Sequence, residues 1–205
     1  MDQSKDSRYN IQARNHDSNL KKKHKMPKGV CALYNGKALA LVTRSGSHAL
    51  MNLMLPKDHV KTHPESLKDQ RWHPIMNLQA QGLINGLPEC EVCCMVRNPV
   101  DRFRSACARR NKTVEEGLLE DEVHFWSIES MGLINDSIKY FLFPEQIDEC
   151  AAWLGLPTPV PRLNEEKDDK KPVLSESQLE LVVKQYYNDN ELYQKLKENY
   201  YGKQF

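Results

Sequence analysis

Two short stretches hold residue types suited to gripping an anion. In Thr43-Arg44-Ser45-Gly46-Ser47-His48, a glycine lets backbone N–H groups come close to an anion. A following helix N-terminus adds its positive end, the hydroxyls of Ser45 and Ser47 donate, and Arg44 supplies charge. The stretch is not a Walker A loop, because G-x-x-x-x-G-K-[ST] is absent, and a Ser/Gly turn can equally be a plain connection. In the second stretch, Arg97-Asn98-Pro99-Val100-Asp101-Arg102-Phe103-Arg104-Ser105, Arg97 closes an apolar run and its planar fork suits a phosphate. Ser105 follows within two helical turns. The plainer role for Arg97 is an ion pair with Asp101. Two such turns on two strands predict one ligand carrying two separated phosphate groups.

These turns need elements to hold them. VCALY-NG-KALALVTR is a pair of apolar runs flanking Asn35-Gly36, a strong hairpin signal, with a buried strand over 38–43. ALMNLML then reads as a helix stopped by Pro56. HVKTH (59–63) is a short possible strand, and 65–87 carries mixed helical signals with Pro74 able to open a helix. EVCCMVR (91–97) is a strand, after which Asn98 as N-cap, Pro99 at N1 and Asp101 at N3 start a helix through about Arg109. Residues 113–135 are helical in part. SIKYFLF (137–143) is a further strand and PEQIDECAAWLG (144–155) a helix with Gly155 as its stop. Residues 156–174 read as a surface loop. Ser175-x-x-Gln178 is a capping box for a helix burying Leu179, Val182, Val183 and Tyr186, and a last helix from about Asn190 turns Leu192, Tyr193 and Leu196 inward. Strands alternating with helices predict an α/β fold, a parallel sheet covered on both faces. In such a sheet, ligands sit outside the carboxyl ends of the strands, where both anion-adapted turns fall.

The 205 residues suffice for one such domain, and 40% apolar with 28% charged composition excludes fibrous and wholly disordered chains. A net charge of +1 gives no global field for nucleic acid. Residues 1–28 are an exception, with eight basic and three acidic side chains. They read as a flexible, solvated arm or as a hold on an anionic partner, leaving 29–205 as a single domain. No apolar run approaches the ~20 residues of a membrane span, and the polar N-terminus lacks a secretory core. Six cysteines include Cys90-x-x-Cys93 but no second ligand pair, so the cysteines of EVCCMVR read as small hydrophobes. A reduced, cytoplasmic compartment is expected.

A strand ending in [K/R]-[ST]-G-[ST] before a helix, then an apolar strand with R-[DN]-P-x-x-R-x-x-S, resembles the sulfotransferases, P-loop-like enzymes that use 3′-phosphoadenosine 5′-phosphosulfate. TRSGSHAL is similar to the family's 5′-phosphosulfate loop and CCMVRNPVDRFRSA to its 3′-phosphate motif. SIKYFLF, the helix ending in WLGLP, Asn164 and YYNDNELYQKL resemble its C-terminal layout, so the likeness covers roughly residues 38–200. It implies a three-layer, P-loop-like domain with a central, mainly parallel sheet flanked by helices. It also implies that Arg44, standing where the family usually has lysine, stabilises the bridging oxygen as sulfate leaves. Ser45, Gly46, Ser47 and His48 would wrap the 5′-phosphosulfate, and Arg97 and Ser105 would hold the 3′-phosphate.

Sulfuryl transfer needs a base for the acceptor hydroxyl. Lys61-Thr62-His63-Pro64 is similar to the K-T-H-x-P stretch of cytosolic sulfotransferases, which implies His63 as base and Lys61 as a sulfate contact. His124, beside Phe125 and Trp126, is the competing base, with a carboxylate a further alternative. The histidines form no HExxH or related ligand set, and the reaction needs no metal. Arg109, Arg110 and Lys112 could border an anionic acceptor such as an acidic glycan, or simply be a solvated helix end. Trp72 and Trp126 could stack on a sugar or pack as core. The expectation is a small sulfotransferase acting on a hydroxyl of a carbohydrate or small metabolite, its acceptor site open or completed by the second subunit of a homodimer. A P-loop kinase using ATP and magnesium and a non-catalytic nucleotide binder are the rival expectations.

Overall fold

The computed structural model describes residues 30–54, 83–85, 87–122, 124–161 and 170–202. The basic arm, HVKTH with Lys61 and His63, Trp72, the helix proposed at Pro74, and Asn164 lie outside the described residues. Strand β1 (Val30–Tyr34) turns back through Asn35 and Gly36 into β2 (Lys37–Ala40), with Tyr34 opposite Lys37. Both turn residues have positive φ, 49° and 74°, as a two-residue hairpin loop of this kind demands. The sheet runs β3 (Leu83–Asn85), β1, β2, β4 (Glu91–Arg97), β5 (Ile138–Phe143).

Pairing is parallel between β2 and β4 and between β4 and β5, while β1 is antiparallel to both β2 and β3. The sheet is therefore mixed: four strands share one direction and β1 opposes them. A two-residue connection can only return antiparallel, which makes β1 the exception to the expected parallel sheet. Strand β3 falls within the segment read as carrying helical signals. The strand foreseen over 38–43 pairs only as far as Ala40, because Thr43–Gly46 form the turn into α1 (Ser47–Met54).

Side chains alternate between two cores, as a two-residue period requires. Leu39, Leu41, Cys93, Met95 and Phe141 meet α1 and α4 (Ile147–Leu154) through Leu50, Met51, Met54, Ala151 and Leu154. Ala38, Ala40, Val42, Val92, Cys94, Val96 and Leu142 face α6 (Tyr187–Tyr201), with Tyr193 buried and Leu192 and Leu196 partly so. Because helices lie on both faces, β4 reads as an unbroken apolar run in which Cys93 and Cys94 are fully buried.

A third core joins α2 (Pro99–Arg110), α3 (Val114–Leu119) and α5 (Glu176–Gln185) around Phe103, Cys107, Val114, Phe125, Val182 and Tyr186. The Asn98 side chain accepts from Val100 N at 3.0 Å and Asp101 N at 3.2 Å, and the Ser175–Gln178 capping box is formed. Helix α4 starts at Ile147 rather than at Pro144 and stops at Gly155 in the left-handed region (φ 75°). Leu179, expected inward, stands 41% exposed while Val182 and Tyr186 are buried. Among the described residues no helix is long and apolar enough to cross a membrane.

Candidate functional site

Because β2 and β4 are parallel neighbours, with Ala40 opposite Cys94, the chain leaves both at the same edge of the sheet. The turn after β2 is tight. Arg44 (φ 64°) and Gly46 (φ 77°) are both left-handed, a conformation that disfavours any residue with a Cβ. Ser47 Oγ donates to Val42 O at 2.8 Å and ties the start of α1 to the strand. Gly46 packs under the end of β5, where a Cβ would stand 2.6 Å from two ring carbons of Phe143. The Ser45 hydroxyl is buried and meets no hydrogen-bond partner among the described residues. A buried orphan hydroxyl is uncommon and calls for an explanation, such as a ligand oxygen.

The side chain of Arg44 crosses to α2. Its Nε and Nη2 donate to Ser105 Oγ at 2.9 and 2.7 Å. Arg97 Nη1 donates to the Arg44 carbonyl oxygen at 2.9 Å, and the Arg97 guanidinium carbon lies 5.6 Å from the centre of the Phe143 ring. Asp101, the foreseen partner of Arg97, lies 3.6 Å from Arg104. The two turns are thus one connected unit: Arg44 contacts both Ser105 and Arg97, and Ser45, Gly46, Ser47 and His48 belong to the same turn and helix start. Ser105, expected to serve a phosphate apart from the one at Arg44, is the acceptor for the Arg44 guanidinium itself.

His48, in the first turn of α1, is half-buried. Burial is the main cause that holds its imidazole below the ordinary value of 6.5, and the charges of Arg109 and Arg44 add to it. His124 arrives from the segment after α3, and burial also lowers it; Glu122 opposes this, while Arg110, Arg44 and Arg109 reinforce it. Two imidazoles therefore sit in the field of Arg44 and Arg109. Of the basic residues foreseen around an acceptor, Arg110 is held by both carboxylate oxygens of Glu122 at 2.6 and 2.8 Å, and Lys112 by Glu120 at 2.9 Å. Arg109 is the one whose charge reaches both histidines.

No protein family, curated protein or solved structure matches this chain. What the turns can do follows from their chemistry. Two guanidiniums, a buried hydroxyl and a helix start at one sheet edge are groups of the kind that hold a tetrahedral anion. Among the described residues no group of three His, Cys, Asp or Glu is placed to hold a metal ion.

The depressed histidines fix a pH dependence. An unfolded chain protonates its histidines near 6.5, whereas His48 and His124 resist protonation while folded. Below about pH 6.5 the unfolded state binds more protons, so stability falls as the pH falls and levels off below the folded values. Asp189, raised by burial, acts oppositely: its contribution is present below 3.8 and lost as pH rises through its folded value. Urea midpoints between pH 5 and 8 are expected to drop toward the acid end. A His48→Gln, His124→Gln double variant should show a shallower drop; an unchanged slope would refute the assignment.

Proposed function

We propose that this protein is a sulfotransferase that moves a sulfuryl group from 3′-phosphoadenosine 5′-phosphosulfate to an acceptor hydroxyl. The observation that carries the proposal is the bridge from Arg44 to Ser105, with Arg97 on the Arg44 carbonyl. It unites the two motifs of the resemblance at the carboxyl edge of adjacent parallel strands. On this reading the fold is the three-layer, P-loop-like type, and the acceptor is a carbohydrate or small metabolite.

The acceptor oxygen attacks sulfur in line, the bond from sulfur to the bridging oxygen breaks, and the electron pair stays on the departing phosphate. The Arg44 guanidinium answers the charge that develops there, which a preorganised donor does at little reorganisation cost. Ser45 Oγ supplies a donor that spends nothing elsewhere among the described residues. Arg97 orients the turn through its carbonyl. His63, with Lys61 near the sulfate, is the base implied by the resemblance; His124 is the described alternative.

The test is thermal shift with adenosine 3′,5′-bisphosphate, ATP with magnesium, and AMP, on wild type and Arg97→Ala. A ligand that binds only the folded state at about a hundred times its Kd stabilises by roughly 2.7 kcal/mol. For a chain of this size that is a rise on the order of 5–10 °C. Stabilisation by the bisphosphate alone, lost in Arg97→Ala, is expected. A shift with ATP and magnesium instead would overturn the proposal and point to a kinase, and no shift would leave the sulfotransferase proposal without a donor site.

A further inference from the structure

Residues 120–133 form neither helix nor strand among those described, yet four of their backbone groups are tied to three buried side chains. Arg102 Nη1 donates to Trp126 O at 2.9 Å, and Tyr186 Oη donates to Phe125 O at 2.5 Å. Asp189 accepts from Ile128 N at 2.8 Å on Oδ2 and from Glu129 N at 3.1 Å on Oδ1. Arg102 and Asp189 are themselves paired at 3.2 Å, with side chains 2% and 1% exposed, and the Arg102 guanidinium carbon lies 5.2 Å from the centre of the Tyr186 ring. A buried ion pair is a poor source of net stability, since apolar side chains of equal volume would serve as well. It can instead hold irregular backbone in one arrangement, because the carboxylate and guanidinium present a fixed set of acceptors and donors.

That backbone carries His124. On one side of it, Glu122 is gripped by Arg110 of α2; on the other, Phe125 packs edge-on against Phe103 of α2 at 5.8 Å. The same helix carries Ser105, which receives Arg44, and Arg109, whose charge reaches His124. One helix therefore sets His124 relative to Arg44, and a clasp from the C-terminal helices closes over the segment between them.

We propose that Asp189, with Arg102 and Tyr186, is a positioning residue that seats His124 beside the Arg44–Ser105 pair as part of the anion site. The positioning stands on the hydrogen bonds to the Phe125, Trp126, Ile128 and Glu129 backbone and on the contacts of Glu122 with Arg110 and of Phe125 with Phe103, which fix the chain on both sides of His124. The chemical role rests on the sulfotransferase proposal, with His124 in place of His63 as the base: the acceptor O–H proton passes to the His124 imidazole as the acceptor oxygen bonds to sulfur and the bridging bond breaks. Among the described residues, the charges that act on His124 are those of Glu122, Arg110, Arg44 and Arg109.

The experiment is an NMR titration of the His124 and His48 imidazole C–H signals, with and without inorganic phosphate, in the full chain and in Asp189→Asn and Tyr186→Phe. In wild type, His124 should titrate below 6.5, and phosphate should move its midpoint upward by adding a negative neighbour. In the variants the His124 midpoint should return toward 6.5 and its phosphate response shrink, while His48 keeps both. Should Asp189→Asn fail to fold, Tyr186→Phe, which removes a single hydroxyl, decides. A folded variant whose His124 titrates and answers phosphate as wild type does would overturn the proposal, as would a wild-type His124 indifferent to phosphate. Because phosphate is the probe, a sulfotransferase proposal that fails on the bisphosphate would leave this result standing.

Discussion

Gly46→Ala is expected to lower the stability of the fold by roughly 2–5 kcal/mol, a large share of what a domain of this size has. Two separate causes add. At φ 77° a side chain strains the backbone by about 1–2 kcal/mol. The new methyl would also stand 2.6 Å from Phe143 Cδ2 and Cε2 and 3.1 Å from Ile147 Cδ1, and forcing extra volume into packed side chains costs about 1–3 kcal/mol. The ring cannot yield freely, because it is partly buried, packed against the core of β2, β4, α1 and α4, and lies against the Arg97 guanidinium. Displacing it moves Arg97, and through Arg97 the Arg44 carbonyl. Anion binding should therefore weaken along with stability. Urea unfolding of Gly46→Ala, Phe143→Leu and the double variant separates the causes. The smaller leucine should relieve the overlap but not the backbone strain, so the double variant should be more stable than the sum of the singles implies. A Gly46→Ala chain within ~0.5 kcal/mol of wild type, the range of ordinary surface changes, would show that the turn differs from the one described.

The parts of this architecture that could be read from the sequence are those whose partners are close along the chain. Asn35-Gly36 makes its own turn, Asn98 caps the helix that Pro99 begins, and Ser175 and Gln178 cap each other three residues apart. The apolar run 91–97 announces a strand buried on both faces. The placement of Arg44–His48 and Arg97–Ser105 was equally legible, since each follows an apolar strand and opens a helix at the same sheet edge. What could not be read depends on distant pairing. Arg44 meets Ser105 across 61 positions, and Arg102 meets Asp189 across 87. Arg102 lies in a motif whose other arginine faces the site, and nothing local distinguishes the buried one. Strand β3 is three residues long and owes its existence to the free edge of β1, so its own composition carries little signal. Leu179 shows the limit of periodicity: it lies on the expected stripe of α5, but the helix buries only the part of that stripe that meets Phe103 and Phe125.

Arg44 separates the stability of the turn from its use. It is a non-glycine residue at φ 64°, and such strain persists where the surrounding structure enforces it, often at functional sites. Arg44→Ala and Arg44→Gly both remove the guanidinium and its two bonds to Ser105, and they differ only in the Cβ. The glycine variant should therefore be more stable than the alanine variant by about 1–2 kcal/mol. Both should lose affinity for adenosine 3′,5′-bisphosphate equally, since neither retains the charge. A charge-assisted hydrogen bond contributes on the order of 1.5–3 kcal/mol, so the loss should be roughly 10- to 100-fold in Kd by calorimetry. Arg44→Lys keeps the charge on a flexible stem but cannot present two fixed donors to Ser105, and should fall between. Equal stability of the alanine and glycine variants would remove the strain from Arg44. Wild-type affinity in either would remove its side chain from the binding of the nucleotide, and with it the bridge on which the sulfotransferase proposal stands.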